Sequence, residues 1–361
     1  MYNISMYLPK YTITNQILNA VSKVEAAKEI IENSPLIPLW ERDFILDAKT
    51  RTVHYSTHLE GNPLKFPEVK RIIEGFENEI VARNRDVYEV INYREVMQFI
   101  ENIFVKSKES KLTSQDIFDL DLICKIHSIL SKKILPDDRH GKIRVKNANL
   151  ISSKDFKSVL TFPPVKEILP LLRDLVSWVR SSDTKKIHPV LKSGVVHYEL
   201  TKIHPFDDQN GRTARALSTL VLFLDGYDIK SFFCLDEHFD TDPLGYYKAL
   251  SSVQEKYGDL THWLEYFTLA LAIELNRVKE KVLKLSKDAK LKGVIGKVYL
   301  SERQETILNY LSDYGFLNNK RWQKLFPNYS DDTILRDLAD LIKKRVIKKE
   351  GKTKSSKYVL R

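Results

Sequence analysis

The chain has 361 residues, 43% of them hydrophobic and 29% charged, with a formal net charge of +10, a balance that fits a folded chain of two or three domains and excludes a disordered one. It contains no run of about 18 apolar residues, and Met1 to Lys10 lacks the apolar stretch of a signal peptide, so no membrane partner and a cytoplasmic location are expected. Its two cysteines, Cys124 and Cys234, stand far apart without metal-ligand spacing, which argues against disulfides and zinc.

In chain order, an N-terminal arm leads into Asn15–Glu32, where Ile17, Leu18, Val21 and Val24 share one helical face. Ser56-Thr-His-Leu-Glu-Gly-Asn62 reads as a helix end stopped by Gly61, and on local grounds Glu60 is a surface carboxylate. Phe66 to Ser107 has helical spacing, with Val69, Ile72, Val87, Val90, Tyr93 and Met97 inward. Leu112 to Leu135 is expected to form a further helix with Ser114 as cap, Asp116 in its first turn and His127 as a satisfied core histidine. Between Gly141 and Pro164 two short β-like runs, Ile143–Val145 and Val159–Phe162, predict a hairpin that ends at Pro163-Pro164. Val165 to Val179 is amphipathic, with Ile168, Leu171, Leu172, Leu175 and Trp178 inward, and Val190 to Lys202 continues with helical spacing.

The next stretch, Ile203 to Arg215, reads Ile-His-Pro-Phe-Asp-Asp-Gln-Asn-Gly-Arg-Thr-Ala-Arg. Pro205 disfavours helix through His204, so the imidazole belongs at a helix end. A second helical pattern starts after Gly211 with Ala214, Leu217, Leu220, Val221 and Leu224 and stops at Asp225-Gly226. A polar loop feeding a helix start offers unpaired N–H groups and a positive dipole end to an anion, and Arg212 and Arg215 add forked charge. Asp208 supplies the hard oxygen that Mg2+ prefers, and His204 titrates near neutrality, as a general base should. These groups together predict nucleotidyl or phosphoryl transfer.

From His204 to Arg215 the sequence closely resembles the signature of the Fic family, His-Pro-Phe-x-Asp/Glu-Gly-Asn-Gly-Arg-x-x-Arg. The resemblance implies a mainly α fold, a helical bundle carrying a small β-hairpin flap, and a protein adenylyltransferase that moves AMP from ATP to a hydroxyl of a target protein, itself included. It makes His204 the catalytic base and Asp208 the Mg2+ ligand. It assigns Asp208, Gln209, Asn210, Gly211, Arg212, Thr213, Ala214 and Arg215 to the nucleotide. Gln209 departs from the family glycine; if that position needs a positive φ, glutamine strains the backbone by about 1 kcal/mol.

Beside this signature, Ser56 to Gly61 resembles the inhibitory motif Ser/Thr-x-x-x-Glu-Gly/Asn of Fic proteins of the class II type. By that likeness Glu60 pairs with Arg215 in the space of the γ-phosphate, Ser56 anchors the inhibitory helix, and Glu60 can position a water that removes AMP. The resemblance also makes the hairpin a flap that aligns the target chain, with Ser158, Val159, Leu160 and Thr161 as its nucleotide-facing edge, and it places Tyr246, Tyr247 and Gln254 at the adenine.

Thr261 to Val282 is expected to be a long closing helix with Trp263, Phe267, Leu271 and Leu275 buried. Beyond it the chain turns basic: residues 281–361 hold 20 Lys and Arg against 9 Asp and Glu. Helices at Glu302–Asp313, at Lys320–Phe326 and from Ser330 to Lys344, then β-like runs at Val346–Lys348 and Lys357–Leu360, resemble a winged helix-turn-helix. Such a module binds DNA or docks proteins, and Lys343, Lys344, Arg345, Lys348, Lys349, Lys352, Lys354 and Lys357 are candidates to meet phosphates. The expected division is 1–110 as an N-terminal helical region carrying the motif at 56–62, 111–280 as the Fic domain, 281–300 as a linker and 301–361 as the winged helix. Two rivals stand beside AMP transfer: a Fic enzyme with other transfer or de-AMPylation activity, and a DNA-binding regulator whose Fic domain has degenerated. A homodimer stays open, because relatives often dimerise.

Overall fold

The computed structural model describes residues 7–36, 38–148, 151–152, 159–294, 300–351 and 356–360. The fold is mainly α, as the helical spacing predicts, and the chain divides into two compact units, 1–33 with 45–280 and 34–44 with 281–361. Among the described residues twelve α-helices precede the C-terminal region: α1 (Asn15–Asn33), α2 (Pro38–His58), α3 (Phe66–Ile73), α4 (Asn84–Ser110), α5 (Ser114–Ile117), α6 (Leu120–Ser131), α7 (Val165–Arg180), α8 (Pro189–Ile203), α9 (Asn210–Leu224), α10 (Asp236–Thr241), α11 (Pro243–Glu255) and α12 (Thr261–Val294).

The centre of the larger unit is the pair α8 and α9, which pack on each other more extensively than any other two helices; α4 and α6 cover α9, and α7 covers α8. α8 is buried on nearly every side, the expected state of a helix that other helices surround. Gly194 makes this possible: a Cβ there would lie 2.8 Å from Leu264 Cδ2, and its carbonyl accepts from Trp263 Nε1 at 2.7 Å. α7 faces this core through Ile168, Leu172, Leu175 and Trp178, as its spacing predicts.

Several boundaries differ from the sequence reading. The helix expected from Phe66 to Ser107 breaks into α3 and α4 because Gly75 takes φ +88°, a conformation that ends α3. The helix expected from Leu112 to Leu135 splits as well. Thr113 forms a capping box with Asp116 to start α5, and Asp119 accepts from the Leu122 amide at 2.7 Å to start α6. Ser114 is therefore not a cap; its amide and hydroxyl donate to Asp225 at 3.0 and 2.9 Å. His127 is buried as expected but only half satisfied: Nδ1 accepts from the Gly141 amide at 3.0 Å and its ring stacks on Phe206 at 3.7 Å, while Nε2 makes no hydrogen bond among the described residues. The hairpin is formed by β1 (Ile151–Ser152) and β2 (Val159–Leu160), antiparallel with Ile151 opposite Leu160. Ile143–Val145 stays out of it because the Arg144 amide is engaged elsewhere, at the Pro205 carbonyl 2.9 Å away. α12 continues past Val282 through the charged stretch to Val294.

In the smaller unit, α13 (Glu302–Tyr314), α14 (Asn319–Leu325) and α15 (Asp331–Lys343) are followed by an antiparallel hairpin of β3 (Ile347–Glu350) and β4 (Lys357–Leu360). Ser301, Asn318 and Ser330 cap the three helices with their side chains. Ile307, Leu311, Trp322, Leu338, Ile347 and Tyr358 fill the core between them. Lys352 and Lys354 lie outside the described residues.

Candidate active site

The site is built on the six residues between α8 and α9. α8 closes at His204, whose backbone is left-handed at φ 47°, with Pro205 behind it. Arg144, buried to 2% exposure, fastens this turn. Its Nε donates to the His204 carbonyl at 2.8 Å, while Nη1 and Nη2 donate to the carbonyls of Lys146 and Pro163 at 2.9 and 2.6 Å. One guanidinium thus joins the loop to the segments on either side of the β1–β2 hairpin. Sequence reasoning missed Arg144, since an arginine that binds backbone carbonyls leaves no motif.

The His204 ring stacks on Phe162 at 3.9 Å, and Nδ1 lies 3.4 Å from the Thr201 carbonyl. A proton on Nδ1 pointing at that carbonyl leaves Nε2 with a free lone pair. Burial pushes the His204 pKa down to about 4, so the ring is neutral at pH 7. The ring borders a cavity of about 310 Å³ shared with Lys146, Asn147, Phe162, Phe206 and Asp207.

Asn210 closes the loop rather than reaching outward. Its Oδ1 accepts from the Phe206 amide and its Nδ2 donates to the Phe206 carbonyl, both at 2.9 Å. Gln209 is the N-cap of α9 at φ 63°, so the position does take the left-handed conformation that would account for a glycine in the signature. Its carboxamide is buried and neither polar atom makes a hydrogen bond among the described residues. Asp208 Oδ1 accepts from the Gln209 amide and Oδ2 from Arg85 Nη2, each at 2.6 Å. Burial pushes this carboxyl up, but the amide and the cations Arg212 and Arg85 outweigh it and hold it below the usual range.

The Thr213 amide donates to the Gln209 carbonyl, so helix geometry leaves the amides of Asn210, Gly211 and Arg212 without intrahelical acceptors. Thr213 and Ala214 are buried in the body of α9. The two arginines separate. Arg212 turns to Glu89 of α4, Nη1 to Oε2 at 3.1 Å, and both are buried. Arg215 lies with the 56–60 segment: Nη2 is 2.8 Å from the Ser56 carbonyl and 3.0 Å from Glu60 Oε1, and Nε donates to Ser56 Oγ at 2.9 Å. A Cβ on Gly211 would meet Glu60 Oε1 at 2.1 Å, so only glycine lets this carboxylate sit against the start of α9.

The remaining expected residues fall in two groups. Tyr246 is buried and bonds His197 Nε2 through its hydroxyl at 2.8 Å, a wall of the site more than a surface of it. Tyr247 is half-buried beside it, with ring centroids 5.1 Å apart. Burial, then the nearby Glu60, raises the Tyr247 phenol pKa. Gln254 meets the flap: Oε1 accepts from the Thr161 amide at 3.0 Å and hydroxyl at 2.9 Å, and Nε2 donates to the Thr161 carbonyl at 2.9 Å. Val159 and Leu160 form β2, while Ser158 lies outside the described residues.

Comparison with known proteins is consistent with this geometry. Residues 117–222 match the model of the Fic/DOC family. Protein adenylyltransferase fic-1 of Caenorhabditis elegans is 29% identical over 177 residues, covering 48% of this chain and 32% of the relative. Protein adenylyltransferase Fic of Nematostella vectensis is 23% identical over 262 residues, 72% of this chain and 55% of the relative. The chain therefore spans between about a third and just over half of the length of these curated relatives. Among solved structures, a Fic family protein from Desulfovibrio desulfuricans G20 is similar over 98% of both chains, with a TM-score of 0.65 at 20% identity. Fic-1 from C. elegans is similar over 75% of this chain and 74% of its own, with a TM-score of 0.58 at 22% identity.

Proposed function

We propose, from the premise that this chain carries a Fic/DOC domain, that it transfers AMP from ATP to a Ser, Thr or Tyr hydroxyl of a target protein, with itself as one acceptor, under restraint by Glu60. The observation that carries the reading is the juxtaposition at the start of α9: free amides, the Arg215 guanidinium, and Glu60 seated between them with Oε1 3.0 Å from Nη2.

The triphosphate would lie along the amides of Asn210, Gly211 and Arg212, donors fixed before the reaction and so most effective as charge shifts. The acceptor hydroxyl would enter the cavity beside His204 and give its proton to Nε2. Its oxygen bonds to the α-phosphorus while the bond to the bridging oxygen breaks, and pyrophosphate leaves with that electron pair. A neutral imidazole is the competent form of this base. Phe162 and Arg144 hold the ring and its turn, which limits the orientations that the base samples.

Asp208 fits a magnesium ion: it is one ionised, partly exposed carboxylate next to the phosphate site, and Mg2+ takes its other ligands from phosphates and water. Bound there, the ion would neutralise phosphate charge; Arg85, now on Oδ2, would have to yield to it.

A second reading rests on Glu60 itself. Its carboxylate is 27% exposed beside the same helix start, which supports a role in positioning a water that removes AMP. ATP labelled at the α- or the γ-phosphate tests both. The proposal expects α-label but no γ-label on protein, more of it in Glu60→Gly and none in His204→Ala. Retention of γ-label would instead favour phosphoryl transfer, and loss of pre-attached α-label only when Glu60 is intact would favour removal.

A further inference from the structure

Arg215 is held by more than the inhibitory segment. Asp236, the first residue of α10, is 3% exposed and places Oδ1 3.0 Å from Arg215 Nε. The oxygen lies off the N–H axis, so the Nε proton goes to Ser56 Oγ while the carboxylate acts as a counter-charge. Nη2 serves the Ser56 carbonyl and Glu60. Nη1 makes no hydrogen bond among the described residues, and it lies 3.1 Å from the point that a Cβ on Gly211 would occupy. A buried, unpaired pair of N–H groups therefore faces the start of α9, where Glu60 also sits.

We infer that Asp236 is a positioning residue: with Ser56 it fixes the Nε edge of Arg215, so that Nη1 already faces the phosphate site and withdrawal of Glu60 frees one N–H of Nη2, the other staying on the Ser56 carbonyl, without moving the guanidinium. This rests on the adenylyltransferase reading and refines it, because inhibition becomes occupation of one edge of a clamped arginine. Glu60, 27% exposed, can leave for water at small cost; Asp236, fully enclosed, cannot. The two carboxylates thus divide the work, one removable and one permanent. Burial raises the phenols of Tyr93 and Tyr246, which stay neutral beside Arg215; it raises the Asp236 carboxyl as well, with Arg215 the first influence to oppose it, so the role of Asp236 rests on its 3.0 Å contact with Nε.

The test is calorimetric titration of ATP and of AMP, with magnesium, into Glu60→Gly and into Glu60→Gly/Asp236→Asn. The inference expects the second change to weaken ATP about tenfold, the usual scale for losing a charge-assisted contact, and to leave AMP within about twofold. Unchanged ATP affinity, or an equal loss for both nucleotides, would overturn it. If Glu60→Gly alone fails to bind ATP, the adenylyltransferase reading falls, and this inference with it; intact binding in the single variant and the double alike removes only the role of Asp236. Should Asp236→Asn not fold, Ser56→Ala in the same background loosens the same edge and decides the matter, with a smaller loss for ATP expected and no selective loss overturning the assignment.

Discussion

At the residue scale the protonation of His204 follows from where its ring sits. Desolvation disfavours the imidazolium, so the folded-state pKa of about 4 lies below the ordinary 6.5. Two consequences have definite signs. A base whose pKa is near 4 stays competent through neutrality, so the acid limb of the pH profile of kcat/KM should fall well below pH 6. A limb centred at 6.5 would mean a solvated ring. Stability linked to this group is present above pH 6.5 and lost as pH falls from 6.5 towards 4, because the unfolded chain takes up the proton first. His127, also pushed down to about 4 by burial, adds to the same acid loss.

Gln209 is the other residue with a readable energy. It holds φ 63° and buries a carboxamide without hydrogen bonds, two costs of about 1 kcal/mol or more each. Gln209→Gly is expected to raise the melting temperature by a few degrees while leaving the α9 start intact. A fall in melting temperature would mean that the buried methylenes of Gln209 contribute more than its strain costs. The glycine of the signature raised a positive φ as one reason for that residue, and the structure shows it. The orphaned carboxamide was not legible from sequence, because burial of one side chain depends on chain brought from elsewhere.

At the element scale α2 leads into the segment of the proposed restraint, and its own contacts lie away from Glu60. Arg51 Nη1 reaches Glu237 of α10 at 2.6 Å and Glu274 of α12 at 2.9 Å, Arg277 binds Glu274 at 2.8 Å, and the Cys234 amide donates to Glu274 at 2.8 Å. Near the C-terminal end of α2, His58 Nδ1 meets both Asp240 oxygens at 2.8 and 2.9 Å. Arg51→Met removes one partner of a buried cluster, so a loss of about 3 kcal/mol in stability is expected together with more self-labelling from ATP. Labelling unchanged from wild type, in protein shown to be folded, would detach the cluster from the restraint.

α2 was nearly illegible for the same reason that it matters. Its buried positions include Thr50, Arg51, Thr52, His54, Ser56 and Thr57, so no apolar stripe marks the helix. α7, with a purely apolar inner face, was read correctly to within a residue or two. β1 escaped because what excludes Ile143–Val145 from the hairpin is a hydrogen bond to Pro205, more than 60 residues away in sequence. Asp236 escaped too: it stands 21 residues beyond Arg215 in a stretch without periodicity.

At the scale of the whole molecule, charge and function separate along the chain. The basic excess belongs to residues 281–361, yet the helix that would read a DNA groove in a winged helix, α15, opens with Asp331 and Asp332. On the hairpin Lys348 and Lys357 pair with Glu350, and at the end of α15 Lys344 pairs with Asp340. An acidic helix start repels phosphates, so fluorescence anisotropy with duplex DNA should show only weak binding that disappears between about 0.05 and 0.2 M salt. Binding that persists at the higher salt and depends on sequence would revive the regulator. The three helices and hairpin of this unit were legible because each start carries a side-chain cap, Ser301, Asn318 or Ser330, a signal that needs no knowledge of the rest of the fold.

The central claim is that a triphosphate occupies the start of α9 once Glu60 is gone. A crystal structure of Glu60→Gly with magnesium and a non-hydrolysable ATP analogue tests it directly. The account predicts phosphate oxygens on the amides of Asn210 to Arg212, Arg215 still against Asp236 with Nη1 on a phosphate, and Nε2 of His204 facing the α-phosphorus. Nucleotide bound elsewhere, or phosphates that make no contact with these amides, would contradict it.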